Sequence, residues 1–170
     1  MPEFKSTNVT RLDAGQLAVQ GTHNSARRLY ADTIEVAGAM AVNDTVRLLR
    51  LPVDALLPVL RVGFDDLGTT GVVRIGLAYP SNYAAPGGAL GATIDDDAFA
   101  SAIDVATAAI PMTDYRYALR NIDTAHQALW QLAGLAARPA CAELDVVITV
   151  NTATTAAGTI SVLADAAVQP

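Results

Sequence analysis

Residues 57–79, LPVLRVGFDDLGTTGVVRIGLAY, decide the fold that the sequence predicts. Apolar and β-branched residues dominate 57–64 and 72–79, and the segment between them, DDLGTTG, is rich in Asp, Gly and Thr. Strand-forming residues on both sides of a cluster of turn formers are the signal of a β-hairpin. We therefore predict that the two flanking stretches are paired strands joined by a tight turn.

The C-terminal sequence predicts a second hairpin. Apolar residues occupy alternate positions from Leu144 to Val150, residues 152–158 form the turn, and residues 159–168 run back with many β-branched side chains. Threonine-rich strands of this kind suit a half-exposed pleated face. The apolar faces of the two hairpins could then stack as two sheets.

Three further strands are predicted from alternation, at 27–36, 44–52 and 105–112. A strict alternation places Arg47 and Arg50 of the second strand on opposite faces. Short strands about 10 residues apart, with turn residues between them, indicate a β-sandwich or barrel rather than βαβ units. The predicted fold class is therefore all-β.

Two segments show a helical pattern. In 124–137, TAHQALWQLAGLAA, apolar residues recur at spacings of three and four, which predicts a helix that covers one end or an open face of the sheets. A shorter helix is predicted at 98–103, capped at its N-terminus by Asp96 or Asp97, because a helix dipole favours negative charge there.

The acidic triplet Asp95, Asp96 and Asp97 has a second interpretation as a calcium site, since closely spaced oxygen ligands suit that ion. The surrounding loop, 80–97, lacks the Asp/Asn ladder, the central Gly and the distal Glu of an EF-hand. Helix capping is the favoured interpretation, so no metal and no other cofactor is predicted.

Composition narrows the classes of partner. Eleven basic residues against seventeen acidic ones give a net charge of −6 and no basic stripe, which argues against binding nucleic acid. The apolar runs are shorter than the roughly 20 residues of a membrane span, and the first residues do not form a secretory signal. A charged fraction of only 16 % beside 52 % hydrophobic residues favours a subunit that is covered by neighbours.

The N-terminal segment, residues 1–25, has neither a strand period nor a helix period. Its spaced apolar residues, such as Phe4, Val9 and Leu12, favour ordering against another subunit over disorder. The predicted organisation is an extended N-terminal arm, 1–25, followed by one β-sandwich domain, 26–170.

Catalytic chemistry has no support in the residues. Neither His23 nor His126 has a His, Cys or carboxylate at ligand spacing, and no Ser lies in a nucleophile-elbow sequence. The glycines at 87, 88 and 91 lack the flanking residues of a phosphate-binding loop. We therefore predict a non-enzymatic protein.

Four segments together resemble small structural proteins of tailed bacteriophages. They are FKSTNVTRLDAG at 4–15, LLPVLRVGFDDLGTTGVVRIGLAY at 56–79, DDDAFASAIDVATA at 95–108 and LDVVITVNTATTAAGTISVLADAAV at 144–168. The chain is similar to the capsid decoration, or cement, proteins that sit on the major capsid subunits and tie them together. The most specific part is 62–79, with its FDDLGTTG turn.

The resemblance implies a jelly-roll-like β-sandwich with one short covering helix, a homotrimer, and a place on the outer surface of the phage head after synthesis in the host cytoplasm. The implied partner is the major capsid protein, with no membrane and no nucleic acid involved. The residues proposed to contact the capsid or a neighbouring subunit are Phe4, Val9, Arg11 and Leu12.

An alternative function is a head-fibre or tail component, or an adhesin, that binds host glycan. The candidate platform for sugar rings is formed by tyrosines, which lie at Tyr79, Tyr83, Tyr115 and Tyr117. Tyrosines are more often packing residues than sugar contacts.

Overall fold

The computed structural model describes residues 3–6, 9–10, 13–14, 27–106 and 108–168. In these residues the chain forms nine strands: β1 (Glu3–Lys5), β2 (Arg27–Val36), β3 (Thr45–Pro52), β4 (Ala55–Phe64), β5 (Val72–Ala78), β6 (Thr93–Asp104), β7 (Ile110–Asp114), β8 (Glu143–Thr152) and β9 (Gly158–Val168). A 3-10 turn (Ile122–His126) and one short helix, α1 (Leu129–Leu132), lie between β7 and β8. The predicted all-β class is confirmed.

The strands form two sheets with jelly-roll topology. Sheet A has the order β1-β3-β8-β5-β6 and sheet B the order β2-β9-β4-β7. All neighbouring strands among β2, β3 and the strands up to β9 pair in the antiparallel direction. β1 pairs with the edge of β3 in the parallel direction. From β2 to β9 the chain changes sheet at every connection except the one between β5 and β6. Without β1, each sheet has four antiparallel strands, and two such sheets connected in this way define a jelly roll.

Both predicted hairpins are wrong, although their strands are present. β4 belongs to sheet B and β5 to sheet A, and β8 and β9 are divided in the same way. The glycine- and threonine-rich segments are therefore corners that carry the chain from one sheet to the other. They pack on each other at one end of the sandwich, where the amides of Thr155 and Ala156 donate to the carbonyl of Leu67 at 3.1 and 3.0 Å.

The core lies between the sheets and follows the alternation of the strands. The predicted inner face of β8 is fully buried, and β9 faces it with small and β-branched side chains. Burying one Val, Leu or Ile contributes about 1.5–3 kcal/mol, so these strands dominate the stability of the sandwich. The inward residues of β8 and β9 are Leu144, Val146, Ile148, Val150, Ile160, Val162, Ala164 and Ala166.

The helical predictions need correction. Residues 98–103 belong to β6, so Asp96 and Asp97 do not cap a helix. The helix expected over 124–137 shrinks to the 3-10 turn and the single turn of α1, in which Leu129 and Leu132 are fully buried. The two leucines anchor the connection between β7 and β8 in the core. The strand expected at 105–112 begins only at Ile110.

Within the described part of the chain, no helix is long and apolar enough to cross a membrane.

Candidate interaction surfaces

The outer face of sheet A carries a buried charge cluster, which we define as Arg47, Arg50, Asp145 and Asp13. A β-bulge between Arg47 and Leu49 shifts the register of β3, so that Arg47 and Arg50 lie on the same face. The prediction of opposite faces was wrong because a bulge adds one residue and reverses the alternation beyond it. Two arginines within an apolar strand were the only sequence signal of this cluster.

Asp145 is the centre of the cluster and is fully buried. The Arg50 guanidinium donates to it with both arms of its fork, Nε to Oδ1 at 2.6 Å and Nη2 to Oδ2 at 3.0 Å. Arg47 Nη1 donates to Oδ2 at 2.9 Å. Burial alone would lower the pKa of Arg50, but Asp145 and then Asp13 outweigh it and raise that pKa. The charges thus neutralise one another, which identifies them as a structural unit.

The connection between β5 and β6 closes over this cluster. Arg47 donates to the carbonyl oxygens of Tyr79 and Gly91 at 2.8 and 2.7 Å, one at each end of the connection. The buried arginine therefore satisfies two backbone acceptors and fixes a segment that lacks regular secondary structure over most of its length.

The described part of the N-terminal segment, residues 3–6, 9–10 and 13–14, is attached to sheet A. Ser6 Oγ donates to the carbonyl of Leu48 at 2.6 Å. Asp13 accepts hydrogen bonds from Lys5 Nζ, Arg50 Nη2 and Ser81 Oγ at 2.7, 2.7 and 2.5 Å. Burial would raise the pKa of Asp13, but these donors lower it to about 2.

The predicted contact residues fall into two groups. Phe4 is half-buried and packs against the core, and Val9 is fully buried, so both side chains contribute to packing within this chain. Arg11 and Leu12 lie outside the described residues.

The outer face of sheet B is open, in contrast to that of sheet A. Leu29 on β2 and Met112 on β7 are 47 % and 42 % exposed. Between them, Leu163 of β9 pairs with Ala31 on one side and with Arg61 on the other, and Leu163 is half-buried. This outward face, which we call the open face, spans the whole sheet and mixes these apolar side chains with charged ones, which include Arg61 and the ion pair of Arg27 with Asp165.

The tyrosines do not form one platform. The rings of Tyr79 and Tyr83 lie 5.4 Å apart, but Tyr79 is only 7 % exposed. Tyr115 and Tyr117 belong to the connection between β7 and β8, where the Arg116 guanidinium sits 4.6 Å from the ring centre of Tyr117. A sugar ring needs an exposed aromatic face, which Tyr79 does not offer.

The acidic triplet lies at an irregular part of β6. Asp95, Asp96 and Asp97 each offer an oxygen, and these oxygens lie within 4.8 Å of one another. Arg120 pairs with Asp95 at 3.3 Å and Arg74 with Asp96 at 2.6 Å. The pKa of Asp95 is raised, first by burial and also by the proximity of Asp97.

Comparison with known proteins relates the chain to phage capsids by fold. No protein-family model matches it, and no curated protein matches it by sequence. A chain in a structure of the capsid of Ralstonia phage GP4 superposes with a TM-score of 0.60 at 15 % identity, covering 99 % of both chains. A chain in the capsid asymmetric unit of cyanophage Pam1 gives a TM-score of 0.50 at 20 % identity, covering 91 % of this chain and 94 % of that one. At such identities the likeness establishes a shared fold.

Proposed function

We propose that this protein is a non-enzymatic structural component of a phage virion, and within that class a cement or decoration protein of the head. The observation that carries the proposal is the match of fold over 99 % of both chains to a chain from a phage capsid structure. The four sequence segments that resemble cement proteins support the same assignment.

The arrangement of charges fits a structural role. Arg47, Arg50 and Asp145 are at most 5 % exposed and are paired with one another, with Asp13 and with backbone carbonyls. Groups committed in this way have no capacity left for proton transfer to a substrate. They instead connect β3, β8, the N-terminal segment and the connection between β5 and β6.

The mechanism that we propose is thermodynamic. A subunit that binds the expanded capsid lattice and not its precursor stabilises the expanded state by mass action. Many weak contacts on one shell add through effective concentration, so each contact need not be strong. The open face of sheet B is the surface that we assign to these contacts, either with the major capsid protein or within a homotrimer on the outer head surface.

The N-terminal region, 1–25, remains part of the proposal as a capsid or intersubunit contact. Its described residues are fixed to sheet A, and Arg11 and Leu12 are the residues of the region to test first. Changing them leaves Asp13 and Val9 in place, which a deletion of the whole region would not.

A reconstruction of intact virions tests the proposal. We expect density for this jelly roll on the outer surface of the head, in contact with the major capsid protein and grouped in threes. Density on the tail or on head fibres would support the glycan-binding alternative, and absence from the particle would overturn both assignments.

A further inference from the structure

The carboxylates of Asp95, Asp96 and Asp97 are brought together by an irregularity in β6. Between the pairs Ile75 with Ala100 and Leu77 with Asp95, β5 advances by two residues while β6 advances by five. The surplus residues form a bulge that folds back on itself, and the amide of Asp97 donates to Oδ1 of Asp95 at 3.2 Å. Residues that would point to opposite faces of a regular strand therefore share one location.

The bulge depends on Gly76 of β5. A Cβ at position 76 would lie 2.0 Å from the carbonyl oxygen of Asp95 and 2.5 Å from the carbonyl carbon of Asp96. Glycine is thus required at this position, because the backbone of the bulge occupies the space of a side chain.

The charge of the triplet is not fully balanced. Two arginines pair with Asp95 and Asp96, which leaves three negative charges against two positive ones. In the described part of the chain, no basic side chain forms an ion pair with Asp97. One net negative charge and several oxygens with unused lone pairs remain.

Thr149 on β8 supplies a separate indication of a ligand. Its side chain is 9 % exposed, and its buried hydroxyl has no hydrogen-bond partner. Thr149 lines the same cavity as Asp95 and Asp96, of about 610 Å³. A buried hydroxyl without a partner is uncommon and points to a missing ion or water.

The sheet register and one ion pair place Thr149 and the Asp96 carboxylate on the same side of sheet A. Thr149 pairs directly with Arg74 of β5, so both side chains leave the sheet on one face. Arg74 Nη1 reaches Asp96 at 2.6 Å and Nη2 reaches Asn151 at 2.9 Å. Asp96 is therefore held over the face that carries the Thr149 hydroxyl.

We propose that Asp95, Asp96, Asp97 and Thr149 form a binding site for a divalent cation of the calcium type. The donors are all oxygens, which suits Ca²⁺ or Mg²⁺ and not a metal that prefers nitrogen or sulfur. The irregular arrangement favours Ca²⁺, because Mg²⁺ requires near-ideal octahedral geometry. The two arginines compete with the cation, so we expect an affinity in the range of about 10⁻⁴ to 10⁻³ M, typical of weak calcium modules.

The test measures thermal unfolding of the purified full chain after EDTA treatment. With a dissociation constant of about 1 mM, 10 mM CaCl₂ is expected to raise Tm by about 3–6 °C, and MgCl₂ by less. NaCl at matched ionic strength should not reproduce the shift. A calcium shift no larger than that given by matched NaCl would overturn the proposal.

Three variants locate the site. Asp97→Asn should reduce calcium affinity at least tenfold in a calorimetric titration, whereas Asp104→Asn, an exposed position on the same strand, should leave it unchanged. Thr149→Val should remain folded in EDTA and lose part of the calcium shift.

Equal losses for Asp97→Asn and Asp104→Asn would refute a localised site. An undiminished shift in Thr149→Val would exclude the hydroxyl as a ligand. The isolated chain is used, so these results are independent of its location on a virion.

Discussion

Arg50 donates a hydrogen bond from Nη2 to Asp13 Oδ1 at 2.7 Å, and this contact joins the N-terminal segment to the buried charge cluster of sheet A. Asp13 is the outermost member of the cluster, with its side chain 18 % exposed, and it also binds Lys5 and Ser81. The attachment of the segment is therefore electrostatic at this end and apolar at Val9.

The Asp13 contact predicts a specific dependence of stability on pH. The pKa of Asp13 is lowered from 3.8 to about 2 in the folded chain, so the carboxylate contributes stability that is complete above about pH 4 and lost as the pH falls towards 2. At pH 7, Asp13→Asn should reduce the free energy of unfolding by about 1–3 kcal/mol. Urea titrations at several pH values measure this difference, which should shrink between pH 4 and pH 2. A difference that stays constant over that window would contradict the assigned role.

Substitution at the centre of the buried charge cluster should reduce the free energy of unfolding far more than substitution of Asp13. Asp145→Asn removes the carboxylate charge that compensates two buried arginines, and breaking a buried ion pair costs about 3–5 kcal/mol. Asp54→Asn is the matched control, because Asp54 pairs with Arg138 and both side chains are about half exposed, and a surface pair of this kind contributes little to stability. Urea denaturation of both variants provides the measurement. Similar losses would show that the buried cluster is not a unit.

The crossing corner at 65–71 gives a prediction about glycine. Gly68 has φ = +108°, and a Cβ there would lie 2.0 Å from Thr155 Oγ1. Gly87 has nearly the same φ, +105°, with no atom within 4 Å of its Cβ position. Gly87→Ala should therefore show only the cost of the backbone conformation, about 1 kcal/mol, and Gly68→Ala should lose about 1–3 kcal/mol more through steric overlap.

Thermal unfolding of the two alanine variants separates the effects. Because the φ values match, their difference in Tm reports the contact between the two corners. If both variants lost the same stability, the packing of the corner at 65–71 on Thr155 would not contribute.

The sequence predicted the strands better than their pairing. The apolar alternation that identified β4, β5, β8 and β9 depends on side chains alone, and it holds for a hairpin and for a crossing between sheets. The turn-forming segment 65–71 fits both, since its glycines permit a sheet-crossing corner as readily as a tight turn. Pairing is decided by contacts with distant residues, such as Leu67 with Thr155, which have no local signal.

The faces on which the charged side chains of the candidate sites lie could not be predicted from the sequence, because the strands that carry them are irregular. The bulge after Arg47 and the larger bulge at Asp95 each break the period on which face assignments rest. Both bulges gather charged side chains on one face, so these two departures from alternation coincide with concentrated charge. A glycine inside a strand, such as Gly76, indicates that another backbone approaches closely. Only the structure identifies that backbone as the one at Asp95.

The open face of sheet B provides the prediction that links structure to assembly. Leu29→Lys and Met112→Lys each replace an apolar side chain of this face by a long charged one, and removing that ammonium group from water in an interface is costly. Both positions are partly exposed in the isolated chain, so the free energy of unfolding should change by no more than about 0.5 kcal/mol. Binding to heads that lack the protein should fall at least tenfold for both variants.

Leu90→Lys is the matched control, because Leu90 is 69 % exposed in the connection between β5 and β6 and the variant has the same net charge. Occupancy on purified heads and light scattering of the free protein measure capsid binding and trimer formation separately. Loss of both in the sheet B variants would show that the open face mediates contacts between subunits, and loss of head binding alone would assign it to the major capsid protein. Unchanged occupancy in both sheet B variants would show that the open face is not the contact surface, because a lysine buried in a contact should cause a measurable loss of affinity.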